Sequence, residues 1–289
     1  MQRPEEAGPT AGATPTPWRA TVVRHRRKAG DPPREPDRTE GQPLAWRDDL
    51  RIHGTQGEIS CVDAAGRTRW TQRCTGIPNA AHISGGRVLV TTDSTEYTAW
   101  GHLGPALLVD LAEGTLIAEL RGERGAALSG GRFLLGLEGY DVFHTWQYDR
   151  DGTLVDSWRS YGHYVIGSGV RVVETDRNLP TESRVVRLLP GGVIERGPRL
   201  TGCSVPRPVV LDDGTVLVLD AGVLRAVDRR LDATVLAELL TVEPDRAWAY
   251  TATLHRDGDL LTARIGAPHP RRQDRHTVHT WTISLHQGS

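Results

Sequence analysis

The chain has 289 residues, a formal net charge of −1 at pH 7 and 38% hydrophobic residues. A chain of this length can bury roughly three quarters of its surface and form one large all-β domain. The near-zero charge gives no attraction to nucleic acid or to an anionic membrane, and no apolar run approaches the length of a membrane-spanning helix. We therefore expect a globular protein that binds neither nucleic acid nor membrane.

The first 17 residues are rich in Pro, Gly, Ala, Thr and Glu, and we expect them to form a disordered tail. They lack the apolar segment of a signal peptide. The three cysteines, Cys61, Cys74 and Cys203, share no metal-ligand spacing, and an odd number of thiols fits a reducing compartment. These observations predict a cytoplasmic protein with buried structural cysteines.

One pattern recurs five times: an apolar run, a tight turn with Gly or Asp-Gly, and a second apolar run. Glycine supplies the positive φ that such turns demand, so each copy predicts a β-hairpin. The near-continuous Val and Leu of the second arm indicates a strand buried on both faces. The five copies are 82–90, 127–135, 164–173, 209–218 and 252–261.

A second kind of hairpin alternates with the first. Two hairpins per unit give four strands per unit, and four-stranded units at about 40 residues are typical of a β-propeller. The sequence therefore predicts an all-β fold, a single propeller of about six blades over residues 18–289. Successive turns of the second kind are 47, 39, 41 and 38 residues apart, at Asp63, Asp110, Asp149, Pro190 and Asp228.

The segment from Glu58 to Trp70 has an Asp–Gly turn that leads into a strand ending in Trp. It resembles the repeat of bacterial quinoprotein-like (PQQ-like) propellers, within the wider group of WD40-like propellers. Later units keep the turn but lose the tryptophan. The resemblance therefore implies only the propeller fold, across residues 44–286. The resemblance does not imply a quinone cofactor. The dehydrogenases of that family that bind one have a ring of adjacent cysteines and a set of calcium ligands, and neither has a counterpart here. We expect no cofactor.

The last unit offers only three strands, of which the third is 278–286. A missing fourth strand would leave an open sheet edge. An orphan strand, Trp18–His25, stands ahead of the first unit and alternates apolar and polar residues. We predict that it pairs beside 278–286 and closes the ring. Burial of Trp18, Val22 and Val23 would then contribute about 5 kcal/mol in total.

Residues 26–43 are Pro-rich and charged, and we expect a crossover loop between the closing strand and the first blade. The basic cluster 24–28 lies at the end of the predicted strand. Because short clusters of this kind are usually solvated, we do not expect them to bind nucleic acid.

The inner strands of a propeller start on the face that also carries the loops between the second and third strands. At these starts the sequence places His82, His163, Arg207 and Tyr250. Carboxylates are scarce among them, so the oxygen ligands of a calcium-dependent hydrolase cannot be assembled. An axis of His, Arg and aromatic groups favours an anionic or planar ligand.

Loops 94–105 and 266–277 are longer than a turn requires, and long loops commonly carry function. In the second and third units, aromatic and polar loop residues interleave, which suits a ligand or peptide site. The alternative is that the rings fold back and cap the blades. The candidate binding residues of these two units are Tyr97, Trp100, His102, Tyr140 and His144.

Catalytic and metal-binding motifs are weak. The sequence has no Gly-x-Ser-x-Gly elbow, and its glycine-rich turns lie inside hairpins, where they form no phosphate cradle. His276 and His279 are three apart in a predicted strand, so their side chains point to opposite faces and do not favour zinc. We expect no metal and no catalytic residue.

These observations favour a monomeric, non-catalytic scaffold that binds a protein, peptide or small ligand on its loop-rich face. The alternative is a propeller-type lyase or hydrolase with His82 or His163 as general base. In that case Arg207 or Tyr250 would stabilise developing negative charge. The fold alone does not decide between the two.

Overall fold

The apolar runs form antiparallel strands, and glycine turns separate them. A computed structural model describes residues 18–34, 41–98, 101–138, 143–174, 183–200, 206–243, 249–269 and 272–287. Within these ranges, no helix has the length and apolar character that a membrane span needs. In chain order the strands are β1 (Trp18–Gly30), β2 (Ala45–Arg47), β3 (Leu50–Thr55), β4 (Glu58–Val62), β5 (Thr68–Arg73), β6 (Ile77–Ser84), β7 (Arg87–Thr98), β8 (Gly101–Leu103), β9 (Pro105–Asp110), β10 (Leu116–Arg121), β11 (Arg124–Ala127), β12 (Phe133–Glu138), β13 (Phe143–Tyr148), β14 (Leu154–Trp158), β15 (Gly162–Gly167), β16 (Gly169–Glu174), β17 (Arg184–Leu189), β18 (Val193–Arg199), β19 (Val209–Val210), β20 (Val216–Asp220), β21 (Val223–Val227), β22 (Ala233–Glu238), β23 (Thr251–Asp257), β24 (Leu260–His269) and β25 (Arg272–Gln287).

The strands pair into six antiparallel sheets, which are the blades of a propeller. Blade 1 is β2-β3-β4-β5, blade 2 is β6-β7-β9-β10, and blade 3 is β11-β12-β13-β14. Blade 4 is β15-β16-β17-β18, blade 5 is β19-β20-β21-β22, and blade 6 is β23-β24-β25-β1. The first strands of neighbouring blades, such as β6, β11 and β15, contact one another and so surround the axis. The predicted six-bladed propeller is confirmed.

The second strand of a blade is buried on both faces, as its apolar run predicts. Val88, Leu89 and Val90 of β7 are fully buried, because neighbouring blades pack on both sides of it.

The two long loops that the sequence predicted are largely strands. β7 continues to Thr98, where β8 pairs with it, and β24 and β25 continue as a hairpin to His269 and Arg272.

The N-terminal strand closes the ring, as predicted. β1 pairs with β25 in antiparallel register from Trp18 opposite Gln287 to Gly30 opposite His276. The strand is longer than the sequence suggested, because residues 26–30, which we expected in the crossover loop, stay paired with β25. At its start, the indole N–H of Trp18 donates to Asp213 Oδ2 in blade 5 at 2.8 Å. This bond ties the closing strand to the preceding blade.

The expected burial of Val22 and Val23 is wrong, since their side chains are 45% and 63% exposed. The register shifts between Val22 and Arg24, so Val23 is the extra residue of a β-bulge. The bulge takes Val23 out of the alternation that the sequence implied, whereas Val22 keeps its place opposite Ile283 and is exposed on the outermost strand of the sheet. Trp18 and Ala20 do pack against the apolar cluster of blades 5 and 6.

Apolar clusters join the blades in sequence, one each between blades 1 and 2, 2 and 3, 3 and 4, 4 and 5, and 5 and 6. Two tryptophans add hydrogen bonds between blades. Trp70 donates to the Leu111 carbonyl at 2.8 Å, and Trp158 donates to the Leu189 carbonyl at 2.7 Å. In the part of the chain that the structure describes, no buried apolar cluster joins blade 6 to blade 1.

Candidate functional site

A cavity of about 430 Å³ opens where the inner strands of blades 2 to 5 meet. Its walls come from β6, β11 and β15 and from the segment that leads into β19, so four consecutive blades contribute to it. Three of the predicted axial residues lie together here. The lining side chains with polar or charged groups are His82, Glu123, Arg124, His163, Tyr164 and Arg207.

His82 is held in the cavity wall by the backbone of the next blade. A Cβ added to Gly125 would lie 2.6 Å from His82 Cδ2 and 2.8 Å from Nε2, so only glycine fits opposite the imidazole. His82 Nε2 is buried and has no hydrogen-bond partner. Burial, followed by the charge of Arg207, lowers the pKa of His82 to about 4. The imidazole is therefore neutral at pH 7.

The charge of the cavity is mainly positive. Arg207 is exposed and Arg124 is half-buried. The Arg124 guanidinium carbon lies 5.0 Å from the centre of the Tyr161 ring, within the range of a cation–π contact. Packing on this ring fixes the arginine on the wall of blade 3, so that two guanidinium groups border the space from different blades.

The lining carboxylate, Glu123, accepts hydrogen bonds from two neighbouring groups of the protein. The Tyr161 hydroxyl donates to Glu123 Oε1, and the backbone N–H of Glu138 donates to the same oxygen at 3.3 Å. Tyr161 is 3% exposed, and burial raises its pKa, which keeps the hydroxyl protonated as a donor. One oxygen of the carboxylate is thus directed at the protein, which limits how much negative potential it adds to the cavity.

Tyr164 supports the same wall. Its hydroxyl is 2.8 Å from Thr145 Oγ1, and Thr145 in turn donates to the Ser160 carbonyl, so Tyr164 is the donor of the first bond. Burial raises the pKa of Tyr164 as well. Gly136 leaves room for this arrangement, because a Cβ there would lie 2.1 Å from the Tyr164 oxygen. The wall of the cavity is therefore a fixed hydrogen-bonded layer.

The remaining predicted residues lie elsewhere. Tyr250 packs against the apolar cluster of blades 5 and 6 and does not line the cavity. His144 lines a separate depression of about 330 Å³ between blades 3 and 4, beside Trp158 and Arg196. The predicted loop residues that fall outside the described residues or have undescribed side chains are Tyr97, Trp100, His102 and Tyr140.

The sequence reasoning missed Glu123 and Arg124. A positional signal was present, because Arg124 precedes the positive-φ residue Gly130 by six positions, as His163 precedes Gly169. Counting back six positions from the turn of blade 3, as from the turn of blade 4 to His163, would have found the arginine. Glu123 is the neighbour of that position and carries no separate signal.

Among the described residues, no three metal-ligating side chains converge. Of the histidines considered for zinc, His279 contacts His25 of β1, with His279 Nδ1 3.1 Å from His25 Nε2. His276 lies farther along the same strand, opposite Gly30 of β1. The histidines thus take part in the closing sheet.

The chain matches no protein-family profile. It matches no curated protein. Among solved structures, it is similar to BamB from Moraxella catarrhalis, with 16% identity over 81% of this chain and 79% of that one and a TM-score of 0.38. It is similar to TolB from Acinetobacter baumannii, with 13% identity over 82% of this chain and 65% of that one and a TM-score of 0.36. For AztD from Citrobacter koseri, the identity is 10% over 83% of this chain and 97% of that one, with a TM-score of 0.33. All three are β-propeller proteins, and the assignment of this chain to the same architecture rests on its own sheet topology.

Proposed function

We propose that the protein is a non-catalytic binding propeller whose axial cavity receives an anionic group of a small molecule or of a partner peptide. The observation that carries this proposal is the charge of the cavity. Arg124 and Arg207 border about 430 Å³ of space, while the lining carboxylate Glu123 accepts two hydrogen bonds from the protein. Guanidinium groups bind carboxylates and phosphates strongly, because they present several donors in a plane.

The chemistry of His82 favours binding over catalysis. A general base works best when its pKa lies near the working pH. With a pKa of about 4, His82 accepts a proton poorly at neutral pH. Tyr250, the residue considered for stabilising negative charge, packs in an apolar cluster away from the cavity. The neutral imidazole adds no charge of its own, so the two arginines carry the positive charge of the cavity.

Isothermal titration calorimetry with citrate and with inorganic phosphate tests the proposal. We expect binding that weakens at least about tenfold in Arg207→Gln, since a hydrogen bond to a charged group contributes about 1.5–3 kcal/mol. The control is Arg230→Gln, which removes an exposed arginine from the turn between β21 and β22. A peptide with a glutamate at its tip, titrated in parallel, distinguishes a peptide ligand from a small one.

Two results would contradict the proposal. One is the absence of binding to any of the three probes at low ionic strength. The other is an equal loss of affinity in Arg207→Gln and Arg230→Gln, which would show that the protein attracts anions over its whole surface.

A further inference from the structure

The outer edge of blade 6 differs from the outer edges of the other blades. β1 is the last strand of its sheet, and among the described residues no strand pairs with its second edge. It has 13 residues, whereas the outer strands β5, β10, β14, β18 and β22 have between five and seven. A free edge presents a row of backbone N–H and C=O groups that another strand can pair with.

The edge is regular over most of its length. After the bulge at Val23, pairing with β25 runs without a further shift from Arg24 opposite Thr282 to Gly30 opposite His276. Every residue from Val22 to Gly30 is exposed. Seven consecutive residues in regular register are as long as a typical strand. They form a template of the length that an added strand needs.

The edge is also strongly cationic. Arg24, Arg26, Arg27 and Lys28 lie within five positions, and β1 contains no carboxylate. The side chains of these four residues make no ion pair or hydrogen bond with another described residue. Because side chains alternate along a strand, Arg24, Arg26 and Lys28 lie on one face and Arg27 lies on the other with His25. Their partners on β25 are neutral, among them Thr280 and Thr282.

Positive charge on an edge strand can serve to keep other strands away. That protection acts against neutral and basic segments, and against copies of the same chain. It does not act against an acidic segment, for which both the backbone groups and the charges are complementary. The length and regularity of this edge exceed what protection needs, because short or twisted edges protect better.

We infer that the β1 edge, from Arg24 to Gly30, is a docking site for an extended acidic segment of a partner protein, which adds to blade 6 as a fifth strand. The backbone of the segment pairs with β1, and acidic side chains at alternate positions face Arg24, Arg26 and Lys28. This surface is on the outside of the ring and is independent of the axial cavity.

Fluorescence anisotropy with a labelled seven-residue peptide that alternates glutamate with valine or threonine tests the inference. The first comparison peptide has the same sequence with alternate backbone nitrogens methylated, which keeps the charge and removes the strand hydrogen bonds. We expect this methylated peptide to bind the native protein at least tenfold more weakly. Because the protein is unchanged, the comparison does not depend on how a variant folds.

The protein-side test is the double variant Arg24→Glu with Arg26→Glu. We expect at least a tenfold loss of affinity for the unmethylated peptide. The matched control is Arg150→Glu with Arg230→Glu, which changes the net charge equally at two exposed turn residues. We expect the control to stay within about threefold of the native protein.

Equal binding of the methylated and unmethylated peptides would overturn the inference, since it would show attraction of charge alone. Binding of a single-stranded oligonucleotide of the same charge as tightly as the peptide would overturn it in the same way. Absence of peptide binding at low ionic strength would also reject it.

Discussion

The imidazole of His25 lies parallel to that of His279 across the closing pair of strands, with His25 Nε2 3.1 Å from His279 Nδ1. Both rings stack with the indole of Trp281, at centroid distances of 4.7 Å and 5.4 Å. Burial lowers the pKa of His279, and the charges of His25 and Arg27 lower it further. Two protonated imidazoles cannot keep this contact without repulsion.

The closing pair of strands is therefore expected to weaken in acid. Because the pKa of His279 is lower in the folded protein, the unfolded chain binds more protons below about pH 6.5, and stability falls as the pH falls. We expect the melting temperature to drop between pH 7.5 and pH 5.5, and to drop less in His279→Gln. The control is His286→Gln, an exposed position on the same strand. Equal pH dependence in both variants would show that the pair has no part in the effect.

His82 gives a second, larger pH dependence. With a folded pKa of about 4, it stays neutral in the native protein while the unfolded chain takes up a proton. The free energy of unfolding therefore decreases as the pH falls from about 6.5 to 4, by an amount on the order of 3 kcal/mol. Urea unfolding at pH 7 and at pH 4.5 measures it. In His82→Gln, the difference between the two free energies of unfolding should shrink by about that amount.

Trp18, on the outer strand β1, and Trp46, on the inner strand β2, should differ sharply in their contribution to the free energy of unfolding. Trp18 packs against the cluster of blades 5 and 6 and donates to Asp213, whereas Trp46 is 74% exposed. We expect Trp18→Ala to lower the free energy of unfolding by about 3 kcal/mol, and Trp46→Ala to change it by less than about 0.5 kcal/mol. Chemical denaturation of the two variants gives the comparison. Similar values for both would mean that the closing strand adds little.

The axial cavity depends on the absence of a side chain at Gly125. A methyl group there would lie less than 3 Å from two atoms of the His82 ring, so Gly125→Ala should displace the imidazole into the cavity. We expect citrate affinity to fall at least tenfold while the fold is kept. Gly167→Ala is the matched control, because a Cβ at Gly167 would meet no atom within 4 Å. Unchanged citrate binding in Gly125→Ala would place the anion elsewhere.

The sequence predicted the architecture because the signals of a propeller are local. Each hairpin is marked by a glycine turn, as at Gly85 and Gly86, where φ is positive. The closing strand followed from counting strands in the last unit. The bulge at Val23 could not be read in the same way, because a one-residue shift depends on how β1 fits β25 and blade 5 together.

The site was predictable only in part. His163 and Arg207 stand at or just before the start of an inner strand, and His82 lies within the inner strand β6, so the topology brings all three to the axis. Tyr250 also stands before an inner strand, but its ring packs against the neighbouring apolar cluster. Packing between blades decides which side chains point toward the axis. The alternation of residues within one strand does not predict this orientation.

Five junctions of the ring contain a buried apolar cluster, and in the described residues none lies between blades 6 and 1. Separation at a junction without such a cluster exposes less hydrophobic surface, so we expect it to cost less free energy than separation at any of the others. We therefore expect the five junctions with apolar clusters to keep their spacing and the junction between blades 6 and 1 to deform first. Thermal opening of the ring, and any widening of the axial cavity when a ligand binds, should be concentrated at the junction between blades 6 and 1.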